Sequence, residues 1–225
     1  MDTNDVKICS SELGTKDFWD KRYEMEFENF QNHGDEGEVW FGASAEARIV
    51  NYLINSKTDR DSKILDVGCG NGSVLRKLRS KGFRNLKGVD YCQKAVDLSN
   101  ATSEAEVENE ESTHIEFEQL DITAPPELFF SSTFDVILDK GTWDAMSLSE
   151  ERDHRLKAYL DFLHKGLIDG GRFVIFSCNF TLDELRELFC HSSLEMVHEV
   201  LASHSFSFGG KQGVTSTGAV FRKTP

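Results

Sequence analysis

The chain has 225 residues, a hydrophobic fraction of 39% and a formal net charge of -14 at pH 7. That length and apolar content suffice for the core of one α/β domain with a short extension, whereas two full domains would be cramped. The charge reflects 39 Asp and Glu against 25 Lys and Arg. Because the sequence shows no basic patch, direct binding to a nucleic-acid backbone is not expected.

Cysteine usage and the N-terminal sequence limit the compartments in which we expect the protein. The five cysteines are scattered and form no CxxC pair, so the sequence predicts neither a disulfide framework nor a metal site. The N-terminus has no apolar signal region, and no run of eighteen apolar residues occurs. We therefore expect a cytoplasmic protein that makes no membrane contact. A monomer is a separate expectation.

The first part of the chain is predicted to be an extension of the main domain. Residues 1–13 are polar and are expected to be disordered. Residues 14–62 are expected to form a helical extension that covers the functional site, because aromatic residues recur in it at the spacing of a packed helix face. These residues are Phe18, Trp19, Tyr23, Phe27 and Phe30.

Residues 63–225 are predicted to form one α/β domain. Short apolar strands alternate there with helical patterns, which indicates crossover connections and a parallel sheet. The strand candidates are KILDVG, LKGVD, IEFEQLD, FDVILD and RFVIFSC, with one long helix between the last two that ends near Gly166. Two further candidates near the C-terminus, separated by the Gly-rich segment FSFGGKQG, predict a hairpin.

A glycine-rich loop follows the first predicted strand. Glycines at this place let the backbone approach a ligand closely. The spacing is GxGxG, whereas a nicotinamide-binding loop has GxGxxG, with its third glycine one residue later. The pattern resembles the loop of S-adenosylmethionine-dependent methyltransferases of the seven-strand class, and the resemblance implies cofactor contacts by all five loop residues. These are Gly68, Cys69, Gly70, Asn71 and Gly72.

Acidic residues stand at the ends of the first three predicted strands. Ligands in open α/β sheets bind outside the carboxyl ends of the strands, so these residues are expected at one site. Asp90, which precedes Tyr91, can accept both hydroxyls of a ribose in a bidentate arrangement. The resemblance implies that Asp66 faces the amino group of the methionine part of the cofactor. It also implies that Asp121 and Ile122 hold the adenine ring, and that Tyr91 belongs to the cofactor site.

Several other functions are disfavoured because their motifs are missing. The sequence has no Gly-Lys-Ser/Thr of a P-loop and no GxSxG nucleophile elbow. The fourth predicted strand also lacks the Asn/Asp-Pro-Pro-aromatic tetrad that is typical of enzymes that methylate amide or exocyclic amino nitrogens. The sequence therefore disfavours methylation of nucleic-acid bases as the function.

A series of segments resembles one family within this class. The segments are LGTKDFWDKRYEMEF near the start, GEVWFG at 37–42, DKGTWDA at 139–145, SCNFT at 177–181 and FSFGG at 206–210. Together they are similar to the elongation factor 1-alpha lysine methyltransferase 2 family over about residues 13–223. The resemblance implies a Rossmann-like, seven-stranded sheet, mostly parallel with an antiparallel C-terminal hairpin and helices on both faces.

The same resemblance carries functional expectations. It implies a lysine N-methyltransferase that uses S-adenosyl-L-methionine, has translation elongation factor 1-alpha as its protein substrate, and occurs in the cytoplasm and also in the nucleus. The acidic 101–114 stretch departs most from the family. Two alternatives stay open, namely an N-methyltransferase of another protein or of a small molecule, and a non-catalytic cofactor-binding partner, because a fold does not specify an acceptor.

A lysine amine is almost entirely protonated at neutral pH, and only its neutral form can attack a methyl group. Methyl transfer to lysine therefore favours a site that excludes water. Aromatic walls desolvate an amine and attract its methylated cation. Trp40 is expected beside the cofactor, and core packing is the favoured interpretation of Phe180. The expected acceptor channel consists of Phe41, Trp143, Asn179, Phe206 and Phe208. Core packing is the alternative interpretation of Trp40, Trp143 and Phe208.

Two acidic residues in DKGTWDA are the candidate catalytic acceptors. Asp139 is expected closer to the cofactor, which it is also expected to bind, and Asp144 is expected to face the incoming amine. A helix N-cap is the alternative role of Asp144. Lys140 could pair with a carboxylate or contact the carboxylate of the cofactor, and the sequence leaves both roles open.

Overall fold

The computed structural model describes residues 9–107, 113–190, 193–201 and 216–225, and the backbone alone of 206–208 and 211–213. The strands are β1 (Lys63–Val67), β2 (Asn85–Asp90), β3 (Ile115–Gln119), β4 (Phe134–Lys140), β5 (Leu167–Ser177), β6 (Leu194–Glu199), β7 (Phe206–Phe208), β8 (Lys211–Gly213) and β9 (Thr217–Lys223). The helices are α1 (Lys16–His33), α2 (Gly42–Asn55), α3 (Ser73–Ser80), α4 (Gln93–Ala105), α5 (Thr142–Ser147), α6 (Arg152–Gly166) and α7 (Leu182–Phe189).

Seven strands form one sheet in the order β3-β2-β1-β4-β5-β9-β6. The strands β1 to β5 pair in parallel, and β9 pairs antiparallel with both β5 and β6. This confirms the predicted seven-stranded sheet with its C-terminal hairpin. The chain order reverses between β1 and β4, so the carboxyl ends of these two strands border a crevice in which open α/β sheets bind ligands.

Helices cover both faces of the sheet, as predicted. On one face, Ile64 and Val174 pack with side chains of α2 and α3. On the other face, Leu65 and Ile175 pack with side chains of α5, α6 and α7. Because both faces are covered, the central strands are apolar at consecutive positions, which is typical of parallel strands.

Two details of the predicted elements were wrong. Two helices, α5 and α6, replace the single long helix expected after β4, although the second does end at Gly166. The interruption has a local cause, because the Ser147 hydroxyl donates to the carbonyl oxygen of Asp144 over 2.6 Å and the Ser149 hydroxyl accepts from the Glu151 amide. Such side-chain bonds compete with the helical backbone pattern. The segment expected only to separate two C-terminal strands also carries the β7–β8 hairpin.

The N-terminal extension is ordered from an earlier point than predicted. Residues 1–8 lie outside the described residues, but residues Glu12–Gly14 form a short 3-10 helix. The Ser11 amide donates to the carbonyl oxygen of Leu148 over 3.0 Å, and the Trp19 indole donates to that of Leu13 over 2.7 Å. These two bonds hold residues 11–13 against the domain. No helix of the described segments has the length and apolar character needed to cross a membrane.

Helix α1 packs along α4, and its boundaries follow from its end residues. Thr15 caps its N-terminus by accepting from the Phe18 amide over 3.3 Å, and Gly34 ends it in the left-handed conformation. The buried ring of Tyr23, together with Phe27 and Phe30, packs against side chains of α4. The aromatic stripe predicted from the sequence is therefore a packed helix face.

Candidate functional site

A cavity of about 1170 Å³, its open mouth included, lies at the carboxyl ends of the parallel strands. Its walls come from the extension, the glycine loop and the ends of β2 to β5. The predicted site residues on these walls are Trp40, Phe41, Gly68, Cys69, Gly70, Asn71, Asp90, Tyr91, Asp121, Ile122, Asp144 and Asn179. The structure thus brings most of the predicted site together around one cavity.

The glycine loop has a backbone that only glycine adopts readily. Gly68, Gly70 and Gly72 have φ values of 64°, 56° and 71°, which lie in the left-handed region. There is also no room for a side chain, since a Cβ atom on Gly70 would lie 2.5 Å from the hydroxyl oxygen of Tyr23. Gly72 ends the loop as the N-cap of α3 and is not on the cavity wall.

The Asp90 carboxylate, at the end of β2, is only 5% exposed and forms part of the wall. It accepts hydrogen bonds from the amides of Gly70 over 3.1 Å and Cys92 over 2.9 Å. Burial raises the pKa of Asp90 to about 6, and the two amide bonds oppose that rise. An acidic side chain is therefore held in a fixed orientation beside the glycine loop.

Asp66 lies behind the cavity wall. It is 3% exposed, and it does not belong to the lining. Burial raises its pKa to about 8, while the charge of Lys140 opposes the rise and the nearby charges of Asp139 and Glu46 add to it. Asp66 therefore lies behind the residues that a ligand in the cavity would contact.

The end of β3 supplies a mixed polar and apolar wall. Asp121 accepts hydrogen bonds from the amide and the hydroxyl of Thr123 over 2.9 and 2.7 Å. Leu120 and Ile122 are buried and line the cavity. Two apolar side chains beside a polar one suit a flat heteroaromatic ring with polar edges.

Asp139 is not on the cavity wall. It is fully buried and accepts hydrogen bonds from the amides of Thr142 and Trp143, each over 2.9 Å, and from the hydroxyl of Tyr159 over 2.6 Å. Burial raises its pKa to about 7. Its carboxylate therefore caps the start of α5, which is the role that the sequence left open for Asp144.

The Asp144 carboxylate lines the cavity but is occupied by protein donors. It accepts hydrogen bonds from the hydroxyl of Ser177 over 2.5 Å and from the amides of Cys178 over 2.7 Å and Asn179 over 3.3 Å. Burial raises its pKa. Asp144 thus fixes the chain that follows β5, and Cys178 and Asn179 of that chain line the cavity as well.

Lys140 connects the sheet to the extension. Its ammonium group donates to the carbonyl oxygen of Trp40 over 3.0 Å, a partner that the sequence did not suggest. Burial lowers its pKa, and the carboxylates of Glu46, Asp66 and Asp139 oppose that change. The cation therefore holds the turn that brings Trp40 and Phe41 to the cavity.

The Trp40–Phe41 turn is strained and tightly packed. Phe41 has a φ of 65°, a left-handed conformation that costs a bulky residue energy and persists only where the surroundings impose it. Its ring lies against Gly141, where an added Cβ would be 3.0 Å away. The Trp40 ring meets the Trp19 ring edge to face at 4.9 Å.

Trp143 does not line the cavity, contrary to the prediction of a channel residue. Its side chain is 1% exposed and packs against Phe189 at 4.7 Å and Tyr159 at 5.2 Å. Phe180 packs against the same core, as expected. The predicted channel residues Phe206 and Phe208 lie in β7, but their side chains fall outside the described part of the chain.

Sequence reasoning missed several wall residues. Trp19 and Tyr23 of α1 line the cavity, as do Leu13, Met146 and Arg155. The two aromatic residues belong to the stripe that predicted a packed face, and their spacing does not distinguish a core contact from a cavity wall. In the described segments, no cluster of three or more His, Cys, Asp and Glu side chains could hold a metal ion.

The sequence is similar to known proteins along nearly its whole length. A family model described as a methyltransferase domain matches residues 58–217. EEF1A lysine methyltransferase 2 of Danio rerio is 36% identical over 223 residues, which cover 99% of this chain and 92% of that protein. Protein-lysine N-methyltransferase efm4 of Schizosaccharomyces pombe is 38% identical, with 97% of each chain covered.

Solved structures show the same fold at low sequence identity. The N-methyltransferase NodS of Bradyrhizobium japonicum WM9, in complex with S-adenosyl-l-homocysteine, matches with a TM-score of 0.64 and 18% identity, covering 91% of this chain and 98% of that one. Magnesium protoporphyrin IX methyltransferase of Synechocystis PCC 6803 has a TM-score of 0.64 at 12% identity, covering 91% and 97%.

Proposed function

The chain belongs to the family of EEF1A lysine methyltransferase 2, and on that premise we propose that it methylates a lysine side chain of eEF1A. The methyl donor is S-adenosyl-L-methionine. The observation that carries the proposal is the similarity along nearly the whole chain to relatives named for this activity. The extension, which supplies walls of the cavity, falls within this similarity.

The residues of the cavity fit this methyl donor. Asp90, fixed by two amides, offers a carboxylate to the ribose hydroxyls. Leu120 and Ile122 give an apolar surface for the adenine ring, and the loop at Gly68 and Gly70 admits a ligand against the backbone. When bound, the donor supplies a methyl group on a positively charged sulfur that is a good leaving group.

The protein excludes water from around the incoming amine and orients it. Trp19, Trp40 and Phe41 form an aromatic wall on the side of the extension. Such a wall removes water from the lysine, and this desolvation disfavours the charged form and so increases the neutral fraction that can attack. Positioning two reactants in a water-poor site accounts for much of the rate enhancement in reactions of this kind.

Asp144 is assigned a positioning role in this reaction. Its carboxylate holds the amides of Cys178 and Asn179, so the Asn179 side chain is presented to the cavity from a fixed backbone. Asp139 acts one step further away, because it caps the helix that carries Asp144. In this arrangement neither carboxylate has to accept the proton of the substrate amine, because both act by positioning other groups.

The composition of the chain also bears on its partner and its compartment. A net charge of -14 suits a protein substrate that presents a lysine on a basic surface. The scattered cysteines, none of them in a CxxC pair, support our further proposal that the enzyme acts in the cytoplasm and also in the nucleus. We also propose that it acts as a monomer. Sedimentation of the purified protein tests the monomer, and a dimer at working concentration would contradict it.

The test of function is direct. The purified chain is incubated with methyl-labelled S-adenosyl-L-methionine and eEF1A whose lysines are unmodified, and peptide mass spectrometry locates the added methyl groups. We expect modification of a lysine by the wild type and much less by Asp90→Ala at a donor concentration close to the wild-type Kd. If the wild type binds the donor by calorimetry but leaves every lysine of the factor unmodified, the substrate assignment is wrong.

A further inference from the structure

Arg48, in the middle of α2, joins three segments that are far apart in the sequence. Its Nη1 donates to the carbonyl oxygen of Ser216 over 2.9 Å and to the hydroxyl of the same residue over 3.1 Å. Its Nη2 donates to the carbonyl oxygen of Val200. The guanidinium carbon lies 4.7 Å from the centre of the Phe176 ring. One side chain therefore holds α2, the end of β5 and two further backbone positions together.

The two backbone positions are the ends of the segment that carries the β7–β8 hairpin. Val200 directly follows β6, and Ser216 directly precedes β9. Since β9 is antiparallel to both β5 and β6, strand β6 runs in the same direction as β5 and ends at the same edge of the sheet. The hairpin segment therefore starts and finishes at the edge where the cavity opens.

The ends of the hairpin segment lie beside the acceptor side of the cavity. Ser177, the last residue of β5, pairs with Thr217, which directly follows Ser216. The next residues along the chain after Ser177 are Cys178 and Asn179, both on the cavity wall. A protein that presents a lysine to this cavity must approach over the same edge, to which Val200 and Ser216 belong.

Burial of the charged Arg48 guanidinium at this position has an unfavourable desolvation energy. The residue is 8% exposed, and no carboxylate of the described residues lies within ion-pair distance of its guanidinium. Burial lowers its pKa, and only the more distant charge of Glu199 opposes the change. An apolar side chain could fill the space without this cost. What the guanidinium adds is a set of directed donors that fix two separate carbonyl groups at once.

Helix α2 reaches the cavity at its N-terminus. Phe41, the N-cap of α2, lines the cavity, and Arg48 stands in the second turn of that helix. We propose that Arg48 is a positioning residue for the protein acceptor, which fixes the chain at Val200 and at Ser216 to α2 and so holds in place the sheet edge beside the wall residue Asn179. This inference rests on the methylation of a protein acceptor proposed above.

The experiment compares Arg48→Met and Arg48→Lys with the wild type in the full chain. For Arg48→Met we expect the KM for eEF1A to rise about tenfold through loss of directed bonds from a charged group. The affinity for S-adenosyl-L-methionine is expected to stay within about twofold, because Arg48 is not on the cavity wall. Amide hydrogen exchange in residues 201–216 should become faster, and Arg48→Lys, which keeps a charged donor, should recover part of both losses.

Arg60→Met is the matched control. The Arg60 guanidinium also lies over a phenylalanine ring, that of Phe83, at 4.2 Å, but Arg60 precedes β1 at the opposite edge of the sheet. We expect it to leave the KM and the exchange of the hairpin segment unchanged. The proposal would be overturned if Arg48→Met left both the KM and the hydrogen exchange unchanged. It would also be overturned if the variant lost affinity for S-adenosyl-L-methionine by the same factor as its KM for eEF1A rises.

Failure of the proposed function has a different signature. In that case the wild type itself would leave eEF1A unmethylated. Hydrogen exchange would still decide the structural part, because it needs no substrate. Unchanged exchange of residues 201–216 in Arg48→Met would then reject the role of Arg48, and faster exchange in that segment alone would support it.

Discussion

The Asp90 carboxylate accepts a hydrogen bond from the backbone amide of Gly70 over 3.1 Å. The end of β2 and the glycine loop after β1 therefore fix each other. The cost of burying Asp90 is visible in its pKa, which burial raises to about 6. A buried carboxylate that keeps a place on the cavity wall is suited to gain further donors from a ligand.

Asp90→Ala is predicted to weaken binding of S-adenosyl-L-methionine by about 2 kcal/mol or more, since it removes a charged acceptor from the ribose side. Calorimetry measures the change. Asp97→Ala is the control, because Asp97 lies on α4 and accepts only from Gln93 and Lys94 in the described structure. Equal donor affinity in Asp90→Ala and the wild type would remove Asp90 from the ribose site.

The placement of Asp90 could be predicted because the sequence determines strand ends well. An apolar run followed by a glycine or an acidic residue marks the end of a buried strand, and parallel strands end at one edge. Asp90, Asp121 and the glycine loop therefore meet at the cavity as the pattern indicates. The family segments at 37–42 and 177–181 likewise contribute wall residues.

The roles of neighbouring residues in DKGTWDA could not be predicted in the same way. Which of Asp139 and Asp144 faces the cavity depends on where α5 begins, and that start is fixed by long-range contacts with Tyr159 and Ser177. Trp40 and Trp143 are both aromatic residues beside glycines. Trp143 is a core residue because α6 and α7 pack against it, whereas Trp40 lies on the cavity wall.

Lys140→Met is predicted to lower the affinity for S-adenosyl-L-methionine about tenfold, because the Trp40 carbonyl loses a charged donor and the turn at Phe41 loosens. Calorimetry again measures the affinity. Lys87→Met serves as the control, because Lys87 pairs with Glu116 and Glu118 and is not on the cavity wall. A Lys140→Met protein that binds the donor as well as the wild type does would show that the turn holds without the ammonium group.

Asp66→Asn is predicted to gain stability relative to the wild type as the pH rises. The folded-state pKa of Asp66 is raised to about 8, above its ordinary value of 3.8. The wild type therefore holds an extra proton when folded and loses stability between these two pH values, with a slope of at most about 1.4 kcal/mol per pH unit. The asparagine has no such slope, so the difference in free energy of unfolding should favour it increasingly from pH 5 to pH 8.

Chemical denaturation across that range measures the slope for Asp66→Asn. Asp61→Asn is the control of opposite sign, because the Arg84 guanidinium holds the pKa of Asp61 below its ordinary value. The Asp61→Asn variant should gain no stability relative to the wild type between pH 5 and pH 8. Parallel stability curves for Asp66→Asn and the wild type would mean that Asp66 is ionised in the folded protein throughout the range.

Tyr159→Phe separates a positioning role of Asp139 from a catalytic one. The Tyr159 hydroxyl donates to the buried Asp139 carboxylate over 2.6 Å, and this bond lowers the pKa of Asp139, which burial raises to about 7. Without the hydroxyl the folded-state pKa rises further. The stability lost by Tyr159→Phe should therefore grow as the pH rises above 7, toward about 2 kcal/mol, because a hydrogen bond to an ionised group is lost.

Turnover should respond differently to the same change. If Asp139 only caps α5, kcat of the folded Tyr159→Phe enzyme should keep the pH profile of the wild type, because the amide bonds from Thr142 and Trp143 still hold the carboxylate. If Asp139 takes the proton of the substrate, the profile should shift to higher pH with its pKa. Tyr52→Phe, at a half-buried ring that stacks on His198, is the matched control and should alter neither stability nor profile. A shifted profile confined to Tyr159→Phe would return Asp139 to the catalytic machinery, because it would tie the pH dependence of kcat to the ionisation of Asp139.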